Sequence, residues 1–216
     1  MLIRKRILIL SGPTHEYIDP VRFIGNASSG RMGKAIAEEA MLCGFDVCFI
    51  SGPVSPENLP DLGDCGSIHP VLSAEEMLEM GDKFFSSSEI IIFVAAVADY
   101  TPIEKKTAKM AKSTDDLTLK LKATADIAKT LCRSKRNNQI AIGFALQTED
   151  GEKKARQKLA HKNLDGIVLN TPATLGATTG TFSFLAAPGT TFEHWGRISK
   201  SACAATLFQS LEKFSR

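Results

Sequence analysis

Several features that would point to a particular class of protein are missing from this sequence. Of 216 residues, 26 are Lys or Arg and 24 are Asp or Glu, so the net charge is only +2. A charge this small does not indicate nucleic acid or an anionic membrane surface as a partner. No apolar run reaches the roughly 18 residues that a membrane-spanning helix needs. We therefore expect a globular cytoplasmic protein.

Cysteine and histidine are also sparse and unpatterned. The five cysteines are odd in number and never form a Cys-x-x-Cys pair, which argues against both a disulfide framework and a zinc site. The four histidines never fall at a metal-ligand spacing on one predicted element. We expect reduced, mostly buried thiols, and the sequence names no set of metal ligands.

What the sequence does contain is an alternation of apolar strands with helical segments. Strands are predicted at 6–10, 46–53, 89–100, 139–146 and 165–170, and helices at 31–43, 73–85, 150–163 and 199–214. Such alternation predicts an α/β fold, Rossmann-like and layered, with a mostly parallel central sheet and helices on both faces. We expect residues 1–216 to form a single domain.

Two segments break this rhythm. Residues 115–124 alternate with period two, as a half-exposed strand does, and follow the lysine-rich loop 101–114. They predict a strand pair that projects from the main sheet. A short hairpin is predicted at 180–197, before the last helix.

The stretch 18–40, "IDPVRFIGNASSGRMGKAIAEEA", places small and polar residues just before a helix. A helix N-terminus attracts anions, and small residues let a ligand approach its backbone. An ordinary turn with a serine cap explains the same residues, so the pattern alone leaves both interpretations open.

Ligands of open α/β sheets bind beyond the carboxyl ends of the strands. Neither the Gly-x-Gly-x-x-Gly fingerprint nor a P-loop is present, so a phosphate would be held in another way. Asp99 could bind a sugar hydroxyl, help to hold Mg²⁺ or cap a turn. Lys158 and Lys162 share one helix face, which suits a phosphate site or simply a solvated surface.

A resemblance rests on longer motifs. "SGPTHEYIDPVRFIGNASSGRMG", "SGPV", "AAVADY", "LTLKL", "GFA" and "ARQK…KNLD" occur in order between about residues 5 and 170. Together they resemble the bacterial type of phosphopantothenoylcysteine synthetase. The resemblance implies a ligase of coenzyme A biosynthesis that joins 4′-phosphopantothenate and L-cysteine, using CTP and Mg²⁺. It also implies a homodimer, no flavin, and a separate decarboxylase as a possible partner, since the chain starts at the synthetase's first strand.

The resemblance assigns site residues position by position. Asn26 would act on the acyl-cytidylate, and Lys109 would neutralise the triphosphate. The remaining nucleotide-site positions are Phe93, Val94, Ala95, Asp99, Ala125, Asp126, Ile127, Ala128, Phe144, Lys158 and Lys162.

The sequence also departs from the family pattern. Ala125 stands in "TADI" where the family has "NPDI", Gln147 replaces a carboxylate, Thr171 replaces an acid, and His15 stands where arginine is common. Two other functions therefore stay in view. One is an NAD(P)-dependent oxidoreductase on the same scaffold, and the other is a nucleotide-binding regulator that has lost catalysis.

Overall fold

The computed structural model of the chain describes residues 4–112, 114, 116–147 and 149–214. Its centre is an eight-stranded sheet. The strands of this sheet are β1 (Arg6–Ser11), β4 (Asp46–Ser51), β5 (Gly66–Pro70), β6 (Ile90–Phe93), β9 (Ile140–Leu146), β10 (Gly166–Asn170), β11 (Thr179–Ala186) and β12 (Glu193–Ser199). Their order across the sheet is β12-β11-β10-β9-β6-β1-β4-β5. Neighbours from β10 to β5 pair in parallel, and β11 is antiparallel to both β10 and β12. The predicted Rossmann-like fold is confirmed.

In the part of the chain that the structure describes, five helices cover the two faces of this sheet. They are α1 (Arg31–Leu42), α2 (Ala74–Phe85), α3 (Ile127–Leu131), α4 (Gly151–His161) and α5 (Lys200–Glu212). The core of one face joins α1 and α5 to alternate strand residues such as Ile7 and Ile9. The core of the other face joins α2 and α3 to Leu8 and Leu10, and α4 packs on Ala145 and Ile167. The continuous apolar run of β1 therefore serves both cores, because successive side chains of a strand point to opposite faces.

Two small strand pairs lie outside the main sheet. β2 (His15–Tyr17) pairs with β3 (Phe23–Gly25), and β7 (Tyr100–Pro102) pairs with β8 (Leu121–Ala123). The projecting strand pair predicted from the sequence is thus present as β7 and β8.

Some predicted boundaries differ from the structure. The strand predicted at 115–124 is regular only over Leu121–Ala123, and its first residue, Asp115, lies outside the described residues. The strand predicted at 89–100 ends at Phe93, and residues 94–99 continue as a loop at the carboxyl edge of the sheet. The apolar composition of this stretch is typical of a strand, but beyond Phe93 only isolated backbone hydrogen bonds, such as Val94 N to Leu10 O, continue the pairing with β1.

The N-terminus of α2 carries a modified capping box with Ser73 as the N-cap. Ser73 Oγ accepts a hydrogen bond from Glu76 N at 3.2 Å, but the Glu76 carboxylate accepts one from Leu72 N rather than from Ser73 N. Glu16, which is buried in the β2–β3 hairpin, accepts a hydrogen bond from Ala74 N at 2.8 Å. The hairpin therefore completes the cap and fixes its own position against the helix.

Within the described residues, no helix is long and apolar enough to cross a membrane. The same part of the chain contains no group of three or more His, Cys, Asp or Glu side chains that could hold a metal ion.

Candidate active site

A cavity of about 710 Å³ opens at the carboxyl edge of the parallel strands. Residues from both faces of the sheet line it, including the segment 26–33 before and within α1, the loop 93–99 after β6, and the segment 123–128 before α3. All of the site residues predicted from the sequence line this cavity except Lys109. The edge at which parallel strands end is where ligands bind in open α/β sheets.

Helix α1 comes unusually close to β1 at the cavity. A Cβ added to Gly33 would lie 1.9 Å from Ser11 Oγ, so only glycine fits at this position. Gly30, which precedes the helix, has a φ of 75°, and no side chain caps the helix there. The helix N-terminus therefore faces the cavity with backbone N–H groups that a ligand can reach.

Asn26 connects this segment to the loop after β6. Its amide Nδ2 donates to Val97 O at 2.9 Å and to Ala96 O at 3.3 Å. Both amide protons are therefore directed at backbone carbonyls, which leaves Asn26 Oδ1 facing away from these contacts. In this arrangement Asn26 orders the loop as well as lining the cavity.

The loop after β6 is tied to β1. Val94 N donates to Leu10 O at 3.0 Å and Ala96 N donates to Gly12 O at 2.9 Å. The sequence interpretation assigns reading of a cytosine edge to the backbone of Phe93, Val94 and Ala95. Because the Val94 N–H is already used inside the sheet, only its carbonyl is left for that role.

A charged cluster lies on the side of the cavity formed by α3 and α4. Lys162 Nζ contacts Asp126 at 2.9 Å, and Asp126 also accepts a hydrogen bond from Lys129 N as the N-cap of α3. Burial alone would raise the pKa of Asp126, but the hydrogen bonds from Lys162 and Lys129 hold that pKa below its ordinary value. Desolvation, followed by the repulsion of Lys162, lowers the pKa of Lys158. Nearby Asp99 acts in the opposite direction.

Lys109 lies elsewhere, on an exposed loop. The next residue, Met110, is held through both of its backbone polar groups: its N–H donates to Asp19 Oδ2 at 3.1 Å, and its carbonyl accepts from Arg22 Nη2 at 2.8 Å. Asp19 is 1% exposed. Burial alone would raise the Asp19 pKa, but backbone N–H groups and Arg22 lower it below its ordinary value. Asp19 and Arg22 of the "DPVR" turn thus hold the lysine-rich loop 101–114 in position at Met110.

Two of the positions that depart from the family pattern, Gln147 and His15, lie outside the cavity lining. Gln147 N donates to Asn170 O at 3.0 Å, and Asn170, which lines the cavity, donates to Thr174 Oγ1 at 2.8 Å. His15 stacks on Phe23 with ring centroids 3.7 Å apart, away from the cavity lining. Burial lowers the pKa of His15.

Two basic side chains of the cavity, Arg31 and Lys200, are not among the site residues assigned from the sequence. Lys200, the first residue of α5, lines it. The preceding strand, β12, is antiparallel to β11 and so runs in the same direction as the parallel strands. Its carboxyl end therefore reaches the same edge of the sheet. The sequence signal that could have located Lys200 is the pair of chain reversals before α5, because two reversals bring the start of that helix back to the carboxyl edge of the sheet.

Taken together, the layered sheet, the glycine-bounded helix start and the basic cavity define an α/β protein whose cavity lies where such sheets bind small molecules. Residues 2–214 match the family described as the DNA/pantothenate metabolism flavoprotein C-terminal domain, and the chain belongs to this family. The resemblance found in the motifs is thereby confirmed.

Individual relatives agree with this assignment. The chain is 47% identical over 176 residues to the coenzyme A biosynthesis bifunctional protein CoaBC of Bacillus subtilis (strain 168), a match of 82% of this chain and 42% of that protein. The chain thus spans less than half the length of this curated relative. A crystal structure of the C-terminal domain of a CoaBC protein superposes with a TM-score of 0.81 at 36% identity, covering 97% of this chain and 95% of the other.

A more distant structure, a Cab2 mutant in complex with phosphopantothenate-cysteine, has a TM-score of 0.76 at 16% identity. It covers 98% of this chain and 87% of that one. At this level of identity the likeness supports the fold alone.

Proposed function

We propose that this chain is the ligase domain that joins 4′-phosphopantothenate to L-cysteine in coenzyme A biosynthesis, with CTP as the activating nucleotide. The observation that supports this most is the shared cavity, which contains every motif-assigned side chain apart from Lys109. Family membership favours this function over the oxidoreductase, whose phosphate-binding fingerprint the sequence lacks.

In the proposed mechanism, the carboxylate of 4′-phosphopantothenate attacks the α-phosphorus of CTP. A new bond forms between oxygen and phosphorus, pyrophosphate leaves, and an acyl-cytidylate results. The amine of cysteine then attacks the acyl carbon and loses a proton, and CMP leaves with the bonding electrons of the C–O bond. Phosphoryl transfer of this kind needs positioning and charge neutralisation more than a covalent nucleophile.

The side chains at the cavity suit these steps. Lys158 and Lys162 lie on α4 beside the nucleotide-assigned segments and can neutralise a triphosphate. Lys109 is proposed to join them through the loop that Asp19 and Arg22 hold in place. Asn26 is proposed to stand near the acyl group, with its amide orienting the backbone of the loop after β6.

The residues present also suit the proposed Mg²⁺. This ion takes one or two protein carboxylates and completes its shell with phosphates and water. Asp99 and Asp126 are the two carboxylates among the described lining residues, and Asp126 is already engaged by Lys162. Asp99 is therefore the proposed ligand. When bound, Mg²⁺ would neutralise charge on the triphosphate. The side chains of the cavity would bind and orient the substrates.

The strand pair β7–β8 supports the proposed homodimer. It exposes large apolar side chains, with Tyr100 56% and Leu121 39% exposed, and the adjoining segment exposes Leu117 to 64%. Together with Ile103 we call these side chains the apolar flap. A second copy of the chain would cover them. The decarboxylase that supplies the second half of the pathway is proposed to be a separate partner or domain.

The test is to measure pyrophosphate release from CTP and Mg²⁺ with 4′-phosphopantothenate, with and without cysteine, and to repeat it with ATP. Release with CTP, followed by CMP and the amide product once cysteine is present, is the expected result. Binding of CTP without release would favour the regulator instead. Release with ATP alone would contradict the assigned nucleotide.

A further inference from the structure

The cavity has a second basic region that none of the motif-assigned residues accounts for. Its side chains are Arg31, the first residue of α1, and Lys200, the first residue of α5. Both line the cavity, and both belong to helices on the face of the sheet opposite to α4. We call these two side chains the Arg31–Lys200 pair.

The pair differs from the Lys158–Lys162 region in its neighbours. Lys162 contacts a carboxylate, and Asp99 lies near enough to Lys158 to affect its titration. No ion pair involves Arg31 or Lys200 among the residues that the structure describes, and the acidic residues of the described lining are Asp99 and Asp126 alone. Positive charge is therefore neutralised on one side of the cavity and left unneutralised on the other.

Arg31 is held in place by neutral groups. Its Nε donates to Asn58 Oδ1 at 3.2 Å, and its Nη1 donates to Gly176 O at 2.8 Å. Asn58 is 8% exposed, so this anchor is itself buried. A guanidinium fixed by neutral acceptors keeps its full charge for a ligand, and little side-chain entropy remains to be lost on binding.

Lys200 is half-buried and lines the same cavity as Arg31, which is exposed. Desolvation, followed by the repulsion of Arg31, lowers the pKa of Lys200. Placing two cations in one cavity, with Lys200 partly desolvated, costs free energy in the absence of an anion. A ligand that carries a phosphoryl group would remove that cost.

We propose that the Arg31–Lys200 pair is a binding subsite for a phosphoryl group of the substrates. The group bound there would be a phosphate dianion or the oxygens of a polyphosphate, and either of two substrates can supply this group. One is the phosphate monoester of 4′-phosphopantothenate, and the other is the triphosphate of CTP. That these two substrates supply the group rests on the proposed function. The proposal that the Arg31–Lys200 pair binds an anion does not.

The test compares wild-type protein with Lys200→Gln, which removes the charge and keeps a polar side chain only slightly shorter than lysine. Lys200→Arg retains the charge, and Lys153→Gln removes a charge from an exposed lysine outside the cavity lining. Binding is measured by calorimetry in two pairs, both with Mg²⁺: 4′-phosphopantothenate against pantothenate, and CTP against cytidine. Inorganic pyrophosphate is a fifth probe.

We expect Lys200→Gln to bind inorganic pyrophosphate roughly 10-fold to 100-fold more weakly, the range of a charge-assisted hydrogen bond. The same loss is expected for the phosphorylated member of at least one pair, without a loss for its dephosphorylated counterpart. The pair that shows it identifies the phosphate concerned. Lys200→Arg should recover most of the affinity, and Lys153→Gln should match wild type.

Two results would overturn the subsite. One is unchanged affinity for pyrophosphate and for both phosphorylated substrates in Lys200→Gln. The other is an equal loss for each phosphorylated ligand and its dephosphorylated counterpart, which would mean that Lys200 only shapes the cavity. If wild-type protein binds neither organic substrate, the proposed function fails, and the pyrophosphate comparison still decides the subsite.

Discussion

At the scale of single residues, Asp126 links the local fold to the site. It caps α3 through Lys129 N and receives the Lys162 ammonium, so one carboxylate positions both a helix start and a cavity lysine. The sequence placed Asp126 at the site through the "TADI" motif. It did not show the contact with Lys162, because the two residues are 36 positions apart and meet only through the packing of α3 beside α4.

Asp126→Asn should destabilise the protein in a pH-dependent way. Asparagine can still cap α3, so the variant removes mainly the charge. Because the folded-state pKa of Asp126 is lowered, its charge contributes stability above the unfolded pKa of about 3.9 and loses that contribution as pH falls through the folded value. We expect a difference of up to about 1 kcal/mol at pH 7, since the pair is partly exposed.

Urea denaturation of both proteins between pH 7 and pH 3 measures this difference. Asp82→Asn, on the exposed surface of α2, serves as the control and should match wild type throughout. A difference that grew as the pH fell would mean that the charge of Asp126 destabilises the fold.

Lys109→Gln should lower turnover by roughly 2–4 kcal/mol in transition-state free energy, as the removal of an electrostatic group typically does. The expectation rests on the motif and on the loop contacts at Met110, since Lys109 does not line the cavity. Steady-state rates of pyrophosphate release give the measurement, with the exposed Lys83→Gln as the matched variant. Rates within twofold of wild type would remove Lys109 from the mechanism.

At the scale of elements, the sequence predicted what depends on local periodicity. Continuous apolar runs located β1, β4, β9 and β10, and helical spacing located four of the five helices. β5 was missed because its half-exposed residues, "GSIHP", form an edge strand without alternation or a long apolar run. α3 was missed because five residues are too few to establish a helical period.

The contact between α1 and β1 gives a prediction for an element. Gly33→Ala places a methyl group 1.9 Å from Ser11 Oγ, so the helix must shift or the strand must yield. We expect a loss of about 1–3 kcal/mol in unfolding free energy, typical of overpacking, together with weaker nucleotide binding. Gly151→Ala, at the start of α4, meets its neighbours at 3.4 Å or more and should be close to neutral.

Chemical denaturation and nucleotide titration of the two variants provide the comparison. If Gly33→Ala proved as stable as Gly151→Ala and bound nucleotide normally, the tight approach of α1 to β1 would not be required for the site.

At the scale of the whole molecule, the motifs predicted most of the segments that line the cavity, but they did not predict that the start of α5 lines it too. The segments 26–33, 93–99 and 123–128 follow early or central elements, and their convergence follows from parallel strand order. Lys200 reaches the cavity only because the last two strands reverse direction twice. The hairpin predicted at 180–197 indicates the second reversal, between β11 and β12, but nothing local in the sequence indicates the first, between β10 and β11.

The apolar flap leads to a prediction about assembly. Light scattering should give twice the 23.3 kDa mass of one chain for wild type. Replacing Leu117 and Leu121 together by lysine should shift the protein towards monomer, because charge on a contact surface opposes its burial. Leu42→Lys alters a side chain that is 82% exposed on α1 and should leave the mass unchanged. A wild-type protein that runs as a monomer would refute the dimer.

The cavity joins parts of the chain that are far apart in sequence, from Leu10 on the first strand to Lys200 on the last helix. A bound substrate would therefore act as a reversible cross-link between the two ends of the polypeptide. At a ligand concentration 100 times its dissociation constant, such binding adds about 2.7 kcal/mol to the stability of the folded state. A higher concentration of substrate would then lengthen the time that each molecule survives proteolysis, so the abundance of the protein would rise with the supply of its substrate.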